Sequence, residues 1–431
     1  MEEQRIGRMY VNLFKQWLTR IWEGISPRGL RRSSALPGLI IAALILIPSA
    51  LWYLHIYGRF SKVKREIKGE QTGALVAGPR PGGSEPIILT RAETPGSNMP
   101  EFLSATILPG LGMGILQITA SMPNRGEVPL LLAPSVATLA DTGSGPRQGV
   151  NDNDGALELP WGGAVTGLIS PLGTSLTTAW RGHTISVPRD PSERQGVAEG
   201  GLIATQGADS TQVTPQPTGA TVIGEFKGTN FDGHWPGRTN VTVTTQLGPR
   251  ILEITVVAKN IGDQPEPMGI GWHPRFIMPN GNREAVELRL PNGERLEIVD
   301  RAKGIPSGRT IPLGGALGRF MGHPAELGSG PIDETLISLK PALLDTGSAV
   351  ELRDPANGFG LRMTAVSPSI KALRVTAPSG ARYISLGMQT NYDDALGKEW
   401  NGEEGGSIAT LAPGQSLEWK VRLEIFSIMK R

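Results

Sequence analysis

The chain has 431 residues, of which 39% are hydrophobic and 19% charged, so it can form a packed core and is not globally disordered. Its 57 glycines and 35 prolines, without a Gly-X-Y period, exclude collagen and favour a turn-rich β protein. Because cysteine is absent, disulfides, Cys-ligated zinc, iron–sulfur clusters and thiol nucleophiles are excluded.

The net charge of +2 is unevenly distributed along the chain. Residues 1–65 hold 11 Lys/Arg and 3 Asp/Glu, whereas the remainder holds 31 and 37. The body of the protein is therefore mildly acidic. No basic face is indicated there, so we expect no nucleic-acid partner.

Residues 1–34 are predicted to form a basic amphipathic segment. Apolar side chains recur at steps of three and four from Ile6 to Ile25, and Arg5, Arg8, Lys15 and Arg20 lie on the polar face. Such a helix suits a membrane surface, although a partner-binding helix has the same pattern.

Residues 35–57 are predicted to form a transmembrane helix. They contain no formal charge, and at about 1.5 Å per residue a helix of this length spans a bilayer core of about 30 Å. A buried soluble helix and a cleaved signal peptide are the alternatives, but the run is long for a signal peptide and no A-x-A site follows it. Basic residues in excess before the span favour a single-pass protein with its body on the periplasmic or extracytoplasmic side.

Residues 58–100 are interpreted as a linker, because Gly, Pro, Ser and Thr dominate there without a sustained period. From residue 101 to 431 short alternating runs are separated by turn residues. The run 239–260 predicts two strands around Gly248-Pro249, and 285–300 predicts a hairpin at Asn292-Gly293. The fold class is therefore mainly β, with one large β-sandwich.

Motifs for cofactors and metals are weak. The glycine-rich PGLGMG at 109–114 runs into a strand pattern rather than a helix, so the dinucleotide interpretation fails. The acidic stretch near residue 151 lacks the spacing of a calcium loop, and no histidine pair has metal-ligand spacing. We expect neither a metal nor a cofactor.

The stretch LEITVVAKNIGDQPEPMGIGWHPRFIMP, residues 252–279, resembles the aldose 1-epimerase (galactose mutarotase-like) superfamily. Three further segments are similar to the family in the same order: EFLSATILPGLGMGILQI at 101–118, PIDETLISL at 331–339, and the closing segment at 384–426. The resemblance implies a large supersandwich that binds a sugar in a cleft, and an isomerase that opens and recloses the pyranose ring.

This chemistry needs a base for the anomeric hydroxyl and an acid for the ring oxygen. In the family a histidine is the acid, and His273 matches its position; imidazole titrates in the neutral range. Asp333 matches the family's sugar-binding aspartate. Gln389, with Arg275 and Trp272 beside His273, completes the candidate binding set.

The sequence departs from the family at the base. The family's glutamate position is occupied by Gly387, and the family's second histidine, whose position aligns near Glu199, is absent. Asp393, Asp394 or Glu199 could supply a base from a shifted position. Five tryptophans could stack on sugar rings: Trp161, Trp180, Trp235, Trp272 and Trp400.

Three functions remain open from the sequence. The first is a membrane-anchored aldose 1-epimerase-like isomerase with a rearranged base. The second is a non-catalytic carbohydrate-binding domain that has lost the catalytic glutamate. A scaffold in envelope-polysaccharide assembly is the third.

Overall fold

The computed structural model describes residues 78–123, 125–141, 155–189, 195–278, 281–315, 317–343, 345–400 and 408–429. The predicted amphipathic segment 1–34 and transmembrane helix 35–57 lie outside these residues. In the described part of the chain, no helix has the length and apolar character needed to cross a membrane.

Strands dominate the described residues, and the helices are short. In chain order the elements are η1 (Pro81–Gly83), β1 (Ile87–Thr90), β2 (Glu101–Leu108), β3 (Gly114–Met122), β4 (Gly126–Pro129), α1 (Val136–Asp141), β5 (Leu157–Glu158), β6 (Ala164–Thr166), β7 (Leu168–Ile169), β8 (Ser175–Trp180), β9 (His183–Pro188), β10 (Val197–Glu199), η2 (Ile203–Thr205), β11 (Ser210–Gln216), β12 (Gly219–Thr229), β13 (Thr239–Leu247), β14 (Ile251–Asn260), β15 (Glu266–Met268), β16 (Gly271–Trp272), β17 (Arg275–Ile277), η3 (Arg283–Ala285), β18 (Glu287–Arg289), β19 (Asn292–Asp300), β20 (Ile305–Pro312), η4 (Gly318–Phe320), β21 (Ala325–Glu326), β22 (Ile332–Lys340), β23 (Ala349–Asp354), β24 (Phe359–Ala365), β25 (Ala372–Ala377), β26 (Tyr383–Gln389), η5 (Lys398–Trp400), β27 (Ala409–Leu411) and β28 (Ser416–Ser427).

Two large antiparallel sheets form the sandwich. The nine-stranded sheet has the order β11-β12-β13-β14-β28-β24-β23-β18-β21, and the eight-stranded sheet the order β20-β19-β22-β25-β26-β16-β5, with β17 also paired to β26. Apolar side chains from both sheets belong to one buried cluster. Trp419 of β28 crosses between them, since its indole N–H donates to the Met388 carbonyl of β26 at 3.0 Å.

Alternation in the sequence explains why these strands pair. The predicted strands in 239–260 are β13 and β14, which pair from Thr239–Asn260 to Leu247–Leu252. Strand β28 buries every second residue from Trp419 to Ile425, so one face lies in the core. The prediction of a mainly β protein is confirmed.

The predicted hairpin at Asn292-Gly293 is wrong. Strand β18, before it, pairs with β21 and β23 in the nine-stranded sheet, whereas β19, after it, pairs with β20 and β22 in the eight-stranded sheet. The chain therefore passes from one sheet to the other between Arg289 and Asn292. A local turn signal cannot reveal whether the two flanking strands pair with each other.

The β domain also begins earlier than residue 101. Strand β1 lies within the residues interpreted as linker and pairs with β2, from Ile87–Ile107 to Thr90–Ser104. The compact unit that contains all the described residues runs Gly78–Arg431.

Candidate active site

The candidate site lies on the face of the eight-stranded sheet that is turned away from the sandwich core. On β26, Ile384, Leu386 and Met388 are buried in the core. Because side chains alternate along a strand, Gly387 and Gln389 belong to the opposite face. Register places Arg374 of β25 beside Gly387, and Thr335 of β22 beside Arg374.

His273 follows β16 and lies over β26 at Gly387. A Cβ atom at Gly387 would lie 1.7 Å from His273 Cδ2 and 2.4 Å from Nε2, so any other residue there would clash with the imidazole. The sequence presented Gly387 as a lost glutamate. In the fold, the glycine is what allows the ring of His273 to occupy its position.

Glu158 is the carboxylate paired with His273. Its Oε1 lies 3.1 Å from His273 Nδ1, and the two side chains are 11% and 17% exposed. Strand β5 holds Glu158 opposite Gly271, immediately before the turn that carries His273. The backbone N–H of Gly163 donates to Glu158 Oε2 at 2.6 Å, which fixes the carboxylate.

This contact changes the protonation of the histidine. Burial lowers the pKa of His273, but the charge of Glu158 and the hydrogen bond to it outweigh burial, and the pKa is raised above its usual 6.5. The imidazolium is therefore favoured in a site with neighbouring carboxylates. His273 Nε2 has no hydrogen-bond partner in the described part of the chain and is shielded from solvent, so the exposed part of the side chain lies elsewhere on the ring.

Arg374 joins two carboxylates beside this pair. It donates from Nη2 to Asp333 Oδ1 at 2.6 Å and from Nη1 to Asp393 Oδ2 at 2.9 Å. Thr335 Oγ1 donates to the same oxygen of Asp393. Burial lowers the pKa of Arg374, yet the negative charges of Asp393, Asp333 and Glu199 outweigh it and the pKa is raised.

Gln389 supplies an acceptor at the same place. The residue is 0% exposed, and its Oε1 has no partner among the described residues. Its Nε2 donates to Asp393 Oδ1 at 3.5 Å. A Cβ atom at Gly163 would lie 3.2 Å from Gln389 Oε1 and 3.6 Å from Asp393 Oδ1. The two acceptors therefore lie close to the same position, which is empty because residue 163 is a glycine.

Of the predicted bases, Asp393 and Glu199 lie near His273 or Arg374, whereas Asp394 belongs to a separate cluster. Asp394 accepts from the Thr166 N–H at 2.8 Å and from its hydroxyl at 2.6 Å. Burial raises the pKa of Asp394 and that of the neighbouring Glu399, the latter to about 7. Both carboxylate oxygens of Asp394 are thus bound by Thr166, and its assignment as a candidate base stays a prediction.

The two binding candidates beside His273, Trp272 and Arg275, lie in different environments. Trp272 is 0% exposed within the core cluster and its indole N–H donates to the Gly155 carbonyl at 3.2 Å, so it supports β16 from the core side. Arg275 is half-buried, pairs with Ser385 across β26 and lies 5.1 Å over the Tyr383 ring. It shares the face of the site at the end nearer Tyr383.

The tryptophans do not form a stacking platform. Trp161 and Trp272 are 0% exposed, Trp235 4% and Trp400 7%, because the core or a smaller apolar cluster encloses each of them. Only Trp180, among the five, keeps partial exposure, and its ring stacks on His183 at 6.3 Å. In the described part of the chain, no three His, Asp or Glu side chains form a group that could hold a metal ion.

Sequence reasoning missed Glu158 and Arg374. Glu158 is a single charge between Leu157 and Leu159, both wholly buried, and a charged residue at a buried strand is a signal for a site. Arg374 lies in the alternating run of β25 and carries no motif. Its role depends on register with Asp333, which the sequence alone does not provide.

A family model and several solved structures are similar to this chain. The family model "Aldose 1-epimerase" matches residues 208–424, just over half of the chain. No curated protein sequence matches the chain.

Solved structures share the fold at low identity. A galactose mutarotase-like protein from Clostridium acetobutylicum is 14% identical, with 79% of this chain and 98% of that chain covered at a TM-score of 0.60. A putative aldose 1-epimerase from Escherichia coli K12 is 14% identical, covering 80% and 100%, with a TM-score of 0.56. A galactose 1-epimerase from Lactobacillus acidophilus NCFM is 14% identical, covering 80% and 99%, with a TM-score of 0.55. With its family-model match and its mutarotase-like β fold, the chain belongs to the aldose 1-epimerase family.

Proposed function

We propose that the protein is an aldose 1-epimerase-like isomerase that acts at the anomeric centre of a sugar, with His273 as proton donor and Glu158 as proton acceptor. The observation that supports this proposal is the 3.1 Å contact between the His273 imidazole and the Glu158 carboxylate on the face of the eight-stranded sheet turned away from the core. The reaction requires one group that donates a proton and one that accepts a proton, and this pair supplies both types.

The two proton transfers occur at oxygens bonded to one carbon. Glu158 takes the proton of the anomeric hydroxyl, and the C1–O1 bond becomes a carbonyl as the C1–O5 bond breaks. Once the Glu158 carboxylate has taken that proton it no longer holds the Nδ1–H of His273, and His273 gives the proton on Nδ1 to O5, which becomes a hydroxyl. Rotation about C1–C2 and reversal of both transfers recloses the ring as the other anomer, and the pair returns to its starting protonation.

The environment of the pair suits this exchange. A donor and an acceptor work best when their pKa values lie near the working pH, and Glu158 raises the pKa of His273 above its usual 6.5. In this chain the acceptor comes from β5 rather than from position 387, where the family has its glutamate. The predicted bases Asp393 and Glu199 then serve the site through Arg374, because their charges favour the guanidinium.

Asp333, Arg374 and Gln389 are the proposed sugar-binding groups. Asp333 is 56% exposed on its side chain and can accept from a hydroxyl while it holds Arg374. Each sugar hydroxyl both donates and accepts, so a guanidinium, a carboxylate and an amide oxygen together match a pyranose edge.

Polarimetry tests the proposal. The α-to-β interconversion of glucose and galactose is followed with the spontaneous rate subtracted. We expect His273→Asn and Glu158→Gln each to lower the enzymatic rate by about 10²–10⁴, the usual size of one acid or base contribution. Asp394→Asn is the matched carboxylate control and should retain most activity. Equal loss in Glu158→Gln and Asp394→Asn would contradict the assignment of the base.

A carbohydrate-binding domain without catalysis is the second candidate. The enclosure of His273 Nε2 favours it, because that nitrogen meets no solvent. Calorimetric binding of aldoses or short glycans together with no rate above the spontaneous one would select this candidate. A scaffold role in polysaccharide assembly has no structural observation of its own.

We further propose that residues 35–57 anchor the protein in a membrane as a single pass, with the β domain on the periplasmic or extracytoplasmic side. The support is the uncharged run with its basic flanks. The proposed partners are accordingly a sugar and a membrane, and no nucleic acid.

A further inference from the structure

Hydrogen-bond acceptors outnumber donors where the site meets β26. Gln389 Oε1 is buried without a partner among the described residues, and Asp393 Oδ1 has only the 3.5 Å contact from Gln389 Nε2. Both atoms lie next to Gly163. This residue has a φ of +73° and no side chain, so only its backbone borders the two acceptors. A buried acceptor without a donor costs about 1–3 kcal/mol, so its persistence points to a ligand group that donates.

Most donors near these two acceptors are already engaged. Each terminal nitrogen of Arg374 donates to a carboxylate, Asp393 or Asp333, and the Gly163 N–H donates to Glu158. His273 Nδ1 faces Glu158, and its Nε2, which has no partner among the described residues, is shielded from solvent. A ligand that offers only acceptors, such as a carboxylate or a phosphate, would therefore find few groups to bind it.

The balance of charge at this face also favours a ligand that donates hydrogen bonds. Four carboxylates lie on or beside this face: Glu158, Glu199, Asp333 and Asp393. They face three cations, namely protonated His273, Arg374 and Arg275, the last of which stacks over Tyr383 at the far end. Negative charge remains in excess even with the imidazole protonated.

We propose that the ligand of this site is an amino sugar that carries a protonated amine, and that sugar acids and sugar phosphates are rejected. An ammonium group offers three donors and no acceptor, which matches Gln389 Oε1 and the free lone pairs of Asp393 and Asp333. Hydrogen bonds to a charged group are also stronger than those to a hydroxyl. This inference rests on the proposed function, since it assumes that the face binds a sugar.

The test is calorimetric titration of the full chain in detergent with four matched sets. These are glucose and galactose, their 2-amino and 6-amino derivatives, the N-acetyl forms of those amines, and the corresponding uronic acids. We expect at least one amino sugar to bind about fivefold tighter than its neutral parent, the upper range for a partly exposed charge pair. Acetylation should remove the gain, and added salt should reduce it.

Substitutions at the site test which residues cause the tighter binding of the amino sugar. Gln389→Met removes the unpartnered acceptor at similar volume, so it should cancel the gain without lowering the unfolding temperature. Asp333→Asn, at a half-exposed carboxylate, should reduce the gain as well. Glu326→Gln, an exposed carboxylate on β21, is the control and should leave affinity unchanged.

The outcomes separate the two proposals. If neutral sugars bind and are interconverted but no amine binds tighter than its parent, the amino-sugar inference is overturned and the isomerase stands. Uronic acids binding as tightly as the amines would also overturn it. If amino sugars bind with the expected gain but no sugar is interconverted, the inference stands and the isomerase fails.

Discussion

Adding a single methyl group at Gly387 provides a direct test of how the site is built. The substitution Gly387→Ala places a Cβ atom 1.7 Å from His273 Cδ2, whereas ordinary contact begins at 3.4 Å. Since the Cβ is fixed to strand β26, the imidazole must move by about 2 Å, and crowding of this kind costs typically 1–3 kcal/mol. The 3.1 Å contact between Nδ1 and Glu158 Oε1 cannot survive such a shift.

Two measurements would detect this displacement of the His273 imidazole. A charge-assisted hydrogen bond contributes about 1.5–3 kcal/mol, so its loss should return the pKa of His273 from its raised value toward the usual 6.5. The pKa is read by NMR titration of the imidazole protons, with His273→Asn identifying the signal. Mutarotation by polarimetry should fall by about 10²–10⁴.

A matched glycine controls for the loss of backbone freedom. A Cβ atom at Gly314 would meet no other atom within 4 Å, so Gly314→Ala should be neutral or stabilise by up to about 1 kcal/mol. If Gly387→Ala leaves both the pKa of His273 and the rate unchanged, the imidazole does not depend on the glycine and the reasoning is refuted.

Three further outcomes are expected. Glu158→Gln removes the carboxylate that raises the pKa of His273, so NMR titration should show that pKa falling; no change would exclude the pair as described. Glu266 is wholly buried and its pKa is raised from 4.5 to about 7 by burial, so the folded state binds the extra proton and stability falls as pH rises through that range. Glu266→Gln should remove that fall, up to about 3 kcal/mol in urea unfolding at pH 8 relative to pH 4.5, whereas the exposed control Glu127→Gln should keep it. Membrane fractionation should recover the full chain with the membrane and a chain that lacks residues 1–70 in the soluble fraction; complete solubility of the full chain would refute the anchor.

The sequence predicts those parts of the fold that depend on local alternation. The alternation of apolar and polar residues in 239–260 predicts strands β13 and β14, and they pair with each other because that period fixes which face enters the core. The prediction of a hairpin at Asn292-Gly293 is wrong because it depends on more than local alternation. A turn signal describes the backbone at one place, whereas the choice of sheet depends on which distant strand each flank pairs with.

The same distinction applies to the residues of the candidate site. His273 and Asp333 were found through a family motif, and the structure places both on one face of the eight-stranded sheet. Glu158 was not found, because its partner is more than a hundred residues away and only the pairing of β5 with β16 brings them together. Asp393 and Asp394 are adjacent in the sequence, but Asp393 accepts from Arg374 whereas Asp394 accepts from Thr166, a difference that the sequence does not show.

The exchange of a glutamate for Gly387 is best understood as one half of a coupled change. With a glutamate at 387, the Cβ atom alone would displace the His273 ring, so His273 in its present place and a base at 387 are mutually exclusive. The ring lies in the space that the glycine leaves, and from there it reaches a carboxylate on a different strand. In the sequence alone, the substitution indicates a lost activity. With Glu158 at 3.1 Å from His273, a carboxylate still lies beside the imidazole, and under the proposed function this carboxylate from β5 is the base. Under that proposal, a member of the family can change its motif residue and keep the pair of groups that the reaction needs, because the space left at Gly387 admits the ring of His273 and β5 supplies its partner.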